Sequence, residues 1–471
     1  MVSAGGGRHQ EASASLAHRA IEQVRRAFSE FLTIPTLIIA GFLLLAAIMY
    51  QVDSVREAED WPTILPGDHD SIRTLLETIA TSIITVTSIT FSLLLLAVQQ
   101  GAATLTAQVY DQFLRRTANQ AYFGFFTGLA LYALIVLATV HPGYTPVYSA
   151  ILGFALTVVT LYLLILLIYS TIDQMRPVMI VQNIRDHAIA ARHRQNEMLK
   201  HTVGEQRPAE GFSIAVRAQD SGYLASFDPA ALAQAAGQCA GAHEVVIRRH
   251  IGDYLSVGEV IADLHTAKAP ADVDLGAIRA ALPLSEQRDL VRDPAFGIDQ
   301  LLTIGWTAAS TSKSNPHPAI LACWSLRDLV ASWYPEQAKD QDCATSEDRN
   351  GNGVRIVYRD NVPRDLLRAF ESLIVVASES MQHQTLAATY RALALAARRM
   401  PRAMLADIEA IVRRSLSSLG EHVPTAELDD AIAALGEALR DTGGSSSLLD
   451  EAAVELRKAI GRLGSRGTRA G

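Results

Sequence analysis

The sequence predicts an α-helical integral membrane domain of about four transmembrane helices, followed by a cytoplasmic α+β module and a mainly α-helical C-terminal domain. Three observations carry that prediction. Long stretches near the N-terminus lack any charge; two prolines and a glycine break the last of them near its middle. After Asp173 the apolar runs end, and short strand-like segments and then amphipathic helical patterns take over.

The first span is expected near 31–52, because Phe31 to Val52 is uncharged and mostly Leu, Ile and Ala. At about 1.5 Å per residue such a run crosses a hydrocarbon core of roughly 30 Å. The second uncharged stretch runs from Thr78 to Tyr110, with its apolar centre near 78–98. From Thr117 to Ile172 there is again no charge, which is room for two spans near 120–140 and 147–168. His141-Pro-Gly-Tyr-Thr-Pro146 supplies the turn between them, since prolines cannot continue a helix.

Orientation follows from Lys and Arg near the span ends. Eleven such residues flank the N-terminal segment (1–30), the second loop and the exit of span four, against Arg56 and Arg73 on the other side. Both termini are therefore expected in the cytoplasm. Asp53, Glu57 and Glu59 fall in the first, external loop.

Beyond the spans, residues 173–207 read as an amphipathic linker helix. Residues 208–268 read as a small α+β module. Phe212–Ala218, Gly222–Asp228, Glu244–His250 and Ile251–Leu264 have strand character, broken by glycine turns. Asp228-Pro229 opens a helix, with Asp as N-cap and Pro at the first helical position. Residues 269–463 read as mainly helical, including one long periodic stretch from Asn361 to Arg399 and helices near 401–419, 425–441 and 446–463. A hairpin is expected between Trp333 and Tyr358, and residues 464–471 form a disordered tail.

Composition excludes several functions. A net charge of −8 over 471 residues offers no basic stripe for nucleic acid. Cys239, Cys323 and Cys343 are odd in number and widely spaced, as expected of reduced thiols rather than a disulfide framework. There is no cleavable signal pattern, with some thirty polar residues ahead of the first span. Nucleophile-elbow, phosphate-loop, dinucleotide and zinc-protease motifs are all missing, so no enzyme activity and no cofactor is expected. Asp348-Arg-Asn-Gly-Asn-Gly353 resembles the opening of a calcium loop. Its twelfth position is Arg359 where a bidentate Glu is needed, so it reads as a polar turn. Cys239, His243, His250 and His265 fit no metal spacing, and no metal site is expected.

The chain resembles the bacterial membrane proteins of the DUF2254 family over roughly residues 30–440. The resemblance rests on Thr78-Ile-Ala-Thr-Ser-Ile-Ile-Thr-Val-Thr-Ser-Ile-Thr-Phe-Ser92 with Gln99, and on Ser221-Gly-Tyr-Leu224. It rests also on Gly252-Asp-Tyr-Leu-Ser-Val-Gly258 and on Arg292-Asp-Pro-Ala-Phe-Gly-Ile-Asp-Gln-Leu301. A segment like Ala-Leu-Ser-Pro-x-x-Asn-Asp-Pro usually follows in the family. Here its counterpart keeps Asn315 and lacks the Asp. The resemblance implies a fold and a location, the bacterial inner membrane, and no activity.

Function therefore has to come from residues. Thr74, Thr78, Thr81, Thr85, Ser88, Ser92 and Gln99 recur at helical spacing along span two, with Leu95 as the one interruption. A hydroxyl face of this kind lines a polar pore or packs helices closely. Gly124 and Gly128 in span three form a small-xxx-small motif for helix packing. No charged residue lies within any expected span, which counts against a proton-coupled transporter. In the cytoplasmic part, Arg292, Asp293, Asp299 and Asn315 form a candidate cluster. The leading expectation is a homo-oligomeric, channel-like protein in the lipid bilayer, gated or capped from the cytoplasm. The alternative is a membrane-anchored scaffold or sensor whose cytoplasmic domain binds a protein or small ligand.

Overall fold

Uncharged runs of Leu, Ile, Val and Ala become helices because the helix satisfies every interior backbone donor and acceptor within one segment. Four of them build the first of two compact units, which ends at Arg176. They are α1 (Thr33–Glu59), α2 (His69–Thr104), α3 (Thr117–Thr139) and α4 (Val147–Gln174). All four are long and apolar enough to cross a membrane. The computed structural model describes residues 32–59, 69–104, 117–174, 176–208, 211–267, 275–311, 316–335, 353–419, 422, 425–445, 447, 451 and 454. The N-terminal segment, the calcium-like sequence before Gly353, Asn315, Cys343, most of the helix expected at 446–463 and the tail lie outside those residues.

Helix α3 packs against the other three. Phe42, Leu76, Ile79, Leu129, Tyr132 and Ala133 form the shared apolar core. Close approach of α1 to α3 depends on the glycines. A Cβ on Gly124 would stand 2.8 Å from Pro35 Cα, and one on Gly128 would collide with the Phe42 ring. The α3–α4 turn forms where expected, with a bridge between His141 and Tyr144 and Gly143 at φ +102.

The helices outrun the expected spans, and one consequence is a correction. Asp53 is not in a loop: α1 continues through it, so a spanning-length apolar helix does carry a carboxylate. The side chain is fully buried. It accepts the backbone N–H groups of Tyr148 at 2.9 Å and Ser149 at 3.0 Å, and the Ser149 hydroxyl as well. These are first-turn donors of α4 that have no partner within their own helix. The positive end of the α4 dipole adds to the attraction.

The second unit begins at Pro177. Helix α5 (Pro177–Leu199) opens it and packs on α8 (Pro294–Thr311) and α9 (His317–Trp333). Between them lie β1 (Phe212–Arg217), β2 (Gly222–Leu224), α6 (Pro229–Gly237), β3 (Ala242–Ile247), β4 (Tyr254–Leu255), β5 (Val260–Thr266), α7 (Gly276–Ala280) and β6 (Leu284–Ser285). After α9 come β7 (Arg355–Val357), α10 (Val362–Glu379), α11 (His383–Arg399), α12 (Leu405–Leu419) and α13 (Ala426–Asp441). Helix α6 starts at the expected cap, with Asp228 Oδ1 accepting the Ala230 N–H at 2.9 Å.

One sheet has the order β1-β5-β3-β7 and a second, smaller one β4-β2-β6. The first sheet reaches past residue 268 for its last strand, because β7 pairs parallel with β3 in the register Val246↔Val357. No hairpin joins Trp333 to Tyr358 among the described residues. Trp333 ends α9, and the strand at 355–357 uses distant partners, with Val203 bridging it from the far side. Val216, Leu224, Leu232, Val245, Leu255 and Ile261 fill the core under these sheets. The periodic stretch 361–399 is likewise two helices. Met381 turns the chain at φ +56, a left-handed conformation that hydrophobic periodicity does not register.

Candidate functional site

On α2 the seven polar stripe residues, Thr74 to Gln99, are all exposed on the four-helix unit. The opposite face, with Ile72, Leu76, Ile79, Ala80 and Ile83, is buried. Packing among the described residues of the four-helix unit therefore makes no use of the stripe. Thr74, Thr78, Thr85 and Ser92 each donate their hydroxyl to the carbonyl four residues earlier, at 2.7–3.0 Å. This back-bonding satisfies the donor inside the helix and leaves oxygen lone pairs as the outward feature.

In the second unit, two of the segments that carry the family resemblance, Gly252–Gly258 and Arg292–Leu301, meet at a cleft of about 510 Å³. Its floor is the turn after β3. Gly252 there has φ +91, and its N–H donates to the Leu224 carbonyl at 2.8 Å, tying the turn to the Ser221–Leu224 segment. A Cβ on Gly252 would stand 2.5 Å from Asp293 Oδ2 and 2.7 Å from Arg288 Nη2. Only glycine lets the turn reach this ion pair.

Arg288 organises one wall. Its Nε donates to Asp293 Oδ2 at 2.7 Å, and its Nη1 donates to Asp299 Oδ2. Its guanidinium carbon lies 4.9 Å from the Phe296 ring centroid. Burial works against the Arg288 charge, but the two carboxylates outweigh it and raise its pKa. Asp293 also caps α8, since its Oδ1 accepts the Phe296 N–H at 3.0 Å just ahead of Pro294. On the turn, Asp253 accepts the His250 N–H at 2.8 Å. Burial opposes the Asp253 charge, yet the bonds from His250 hold its carboxyl below the usual range.

The other wall is the start of α10. Arg192 of α5, itself buried, grips Asp360 with two bonds of 2.6 and 3.1 Å and so fixes where α10 begins. Asp365 accepts from Asn361 Nδ2 at 2.8 Å and from Arg368 Nη1 at 3.2 Å. Burial pushes the Asp365 carboxyl up to about 6; Arg368 opposes the shift, and Asp299 and Asp253 add to it. Arg359, Arg364 and Arg368 also line the cleft.

Of the cluster expected from sequence, Asp293 and Asp299 come together on one guanidinium. That guanidinium belongs to Arg288; Arg292 is exposed and among the described residues reaches only Asp289, at 4.0 Å. Arg288 and the α10 arginines escaped the sequence reading because nothing local separates them from an ordinary solvated face. The signal that was available is Asp293-Pro294, the same cap pattern as Asp228-Pro229. His243 and His265 lie on neighbouring strands with ring centroids 6.3 Å apart, and His250 lies in the cleft instead.

Four spanning-length helices followed by a separate unit with a polar cleft define a predicted helical membrane protein with an appended α+β unit. The chain belongs to the DUF2254 family, described as predicted membrane proteins, and matches it over residues 29–388. No curated protein and no solved structure matches the chain.

Proposed function

We propose that this protein is an oligomeric, channel-like protein of the bacterial inner membrane. In it, α2 of each copy turns its hydroxyl face toward a shared polar conduit, and the cytoplasmic unit caps or gates that conduit. The observation that carries this reading is the exposure of all seven stripe residues while the opposite face of α2 is buried. An outward row of oxygen acceptors without fixed charge suits the passage of partly hydrated cations. Four helices enclose too little space for a conduit, so several copies are required. The excess of Lys and Arg on one side supports placing the second unit in the cytoplasm.

The test is the mass and symmetry of the detergent-purified particle, followed by electrical recording in reconstituted bilayers. A ring of five or more copies with measurable conductance supports the reading. A monomer or simple dimer without conductance overturns it. A second reading, a membrane-anchored sensor, is favoured by one specific observation, the charged cleft of the second unit.

A further inference from the structure

We infer that the cleft between the Gly252 turn and α10 binds a small phosphate ester that carries free hydroxyl groups, of the sugar-phosphate or nucleotide class. The inference is independent of whether α2 lines a conduit, because every residue it uses belongs to the second unit.

Five arginines and three aspartates line the cleft, and their pairing is uneven. Arg248 and Arg288 are committed to Asp263 at 2.6 Å and to the Asp293–Asp299 pair. Arg359, Arg364 and Arg368 are not. Arg359 has no ion-pair or hydrogen-bond partner among the described residues. Among the described residues Arg364 reaches only Asp407, at 3.7 Å, and it is half exposed. Arg368 uses one nitrogen on Asp365 and is mostly exposed. Each guanidinium has a planar fork of five donors, so most of the donors in this group are unused. Arg364 and Arg368 stand one helical turn apart, which places both forks on one side of α10.

Such a set favours phosphate, whose oxygens accept paired N–H groups at the spacing a guanidinium offers. Asp253 and Asp299 add acceptors from the turn and from α8, and these suit hydroxyl donors rather than a second anionic group. The volume, about 510 Å³, suits a small molecule rather than a polymer. The same chemistry occurs in two sources, a soluble phosphate ester and the glycerol phosphate headgroup of a lipid.

The experiment is thermal unfolding of the full chain in neutral detergent at constant ionic strength. The probes are ribose 5-phosphate, adenosine diphosphate and short-chain phosphatidylglycerol, with short-chain phosphatidylcholine as the control. The expected result is a saturable rise in melting temperature with at least one of the first three, because a ligand bound only to the folded state stabilises it. A response to the soluble esters assigns the soluble source; a response to phosphatidylglycerol alone assigns the headgroup. Arg359→Gln and Arg364→Gln should each weaken binding about tenfold, the effect of losing one charge-assisted contact. Arg398→Gln, on a helix away from the cleft, should leave binding unchanged. Both cleft arginines are exposed, so unliganded melting temperatures should match the natural chain and show that the variants fold. No saturable rise with any probe, or equal binding in all three variants, overturns the inference.

Discussion

The Asp53 carboxylate accepts both the backbone N–H and the hydroxyl of Ser149, closing the first turn of α4 from the far end of α1. Residues 96 positions apart are thereby joined inside an apolar unit, where an unmatched donor is expensive. Asp53→Ala removes every acceptor and should destabilise the helical unit by about 2–3 kcal/mol. Asp53→Asn keeps one acceptor oxygen and should cost less. Melting of the detergent-solubilised protein checks the order Asp, then Asn, then Ala; equal stability of all three would count against the capping role.

Gly252 presents a sharper case, because two independent effects point the same way. Its φ of +91 disfavours any side chain, and a Cβ would press on the Arg288–Asp293 pair. Gly252→Ala should destabilise the second unit by about 2–4 kcal/mol, more than a left-handed backbone alone explains. Gly258, at φ +85 with open space around its Cβ position, separates the two effects. Gly258→Ala should lose only the backbone part, about 1–2 kcal/mol. Chemical denaturation of the two variants side by side gives the difference.

Asp365 gives the cleft a pH dependence with a definite sign. Its folded pKa of about 6 lies above the ordinary 3.8, so between those values the folded state keeps a proton that the unfolded chain releases. Stability should therefore fall as pH rises through that window, and Asp365→Asn should flatten the slope. Phosphate-ester binding should tighten as the pH drops below about 6, because the cleft loses one negative charge. At pH 7.5 Asp365→Asn should bind more tightly than the natural chain, and below about 6 the two should converge. Comparing the two proteins with the same probe cancels the titration of the phosphate itself.

The parts of the fold legible in sequence are those set by local chemistry. Four apolar runs of spanning length, the Pro142–Pro146 turn and the Asp228-Pro229 cap all follow from neighbours within a few residues. The small-xxx-small pair Gly124 and Gly128 announced a close helix contact, but not that α1, through Pro35 and Phe42, supplies it. The structure also showed what sequence concealed at Asp53, since a charge that ends one apolar run looks like the start of a loop. The cleft was legible only in half. Asp293 and Asp299 stood out, whereas Arg288, Arg359 and Asp365 acquire meaning only when β7, drawn from beyond residue 350, pairs with β3 and brings α10 alongside.

The α2 stripe makes a prediction that separates a conduit from helix packing inside the chain. The Thr78 and Thr85 hydroxyls bond to their own helix, and Thr81, Thr85 and Ser88 all face away from the four-helix core, so their removal costs the isolated chain little. Thr81→Val, Thr85→Val and Ser88→Ala together should change stability by less than about 1 kcal/mol, the net worth of one hydrogen bond. If α2 lines a conduit, the same triple variant replaces the acceptor oxygens with hydrocarbon and should lower conductance at least about tenfold without changing particle mass. If the stripe instead joins neighbouring copies by close packing, particle mass should fall. Mass photometry and bilayer recording on one preparation distinguish these outcomes. Unchanged mass with unchanged conductance would remove the stripe from both roles.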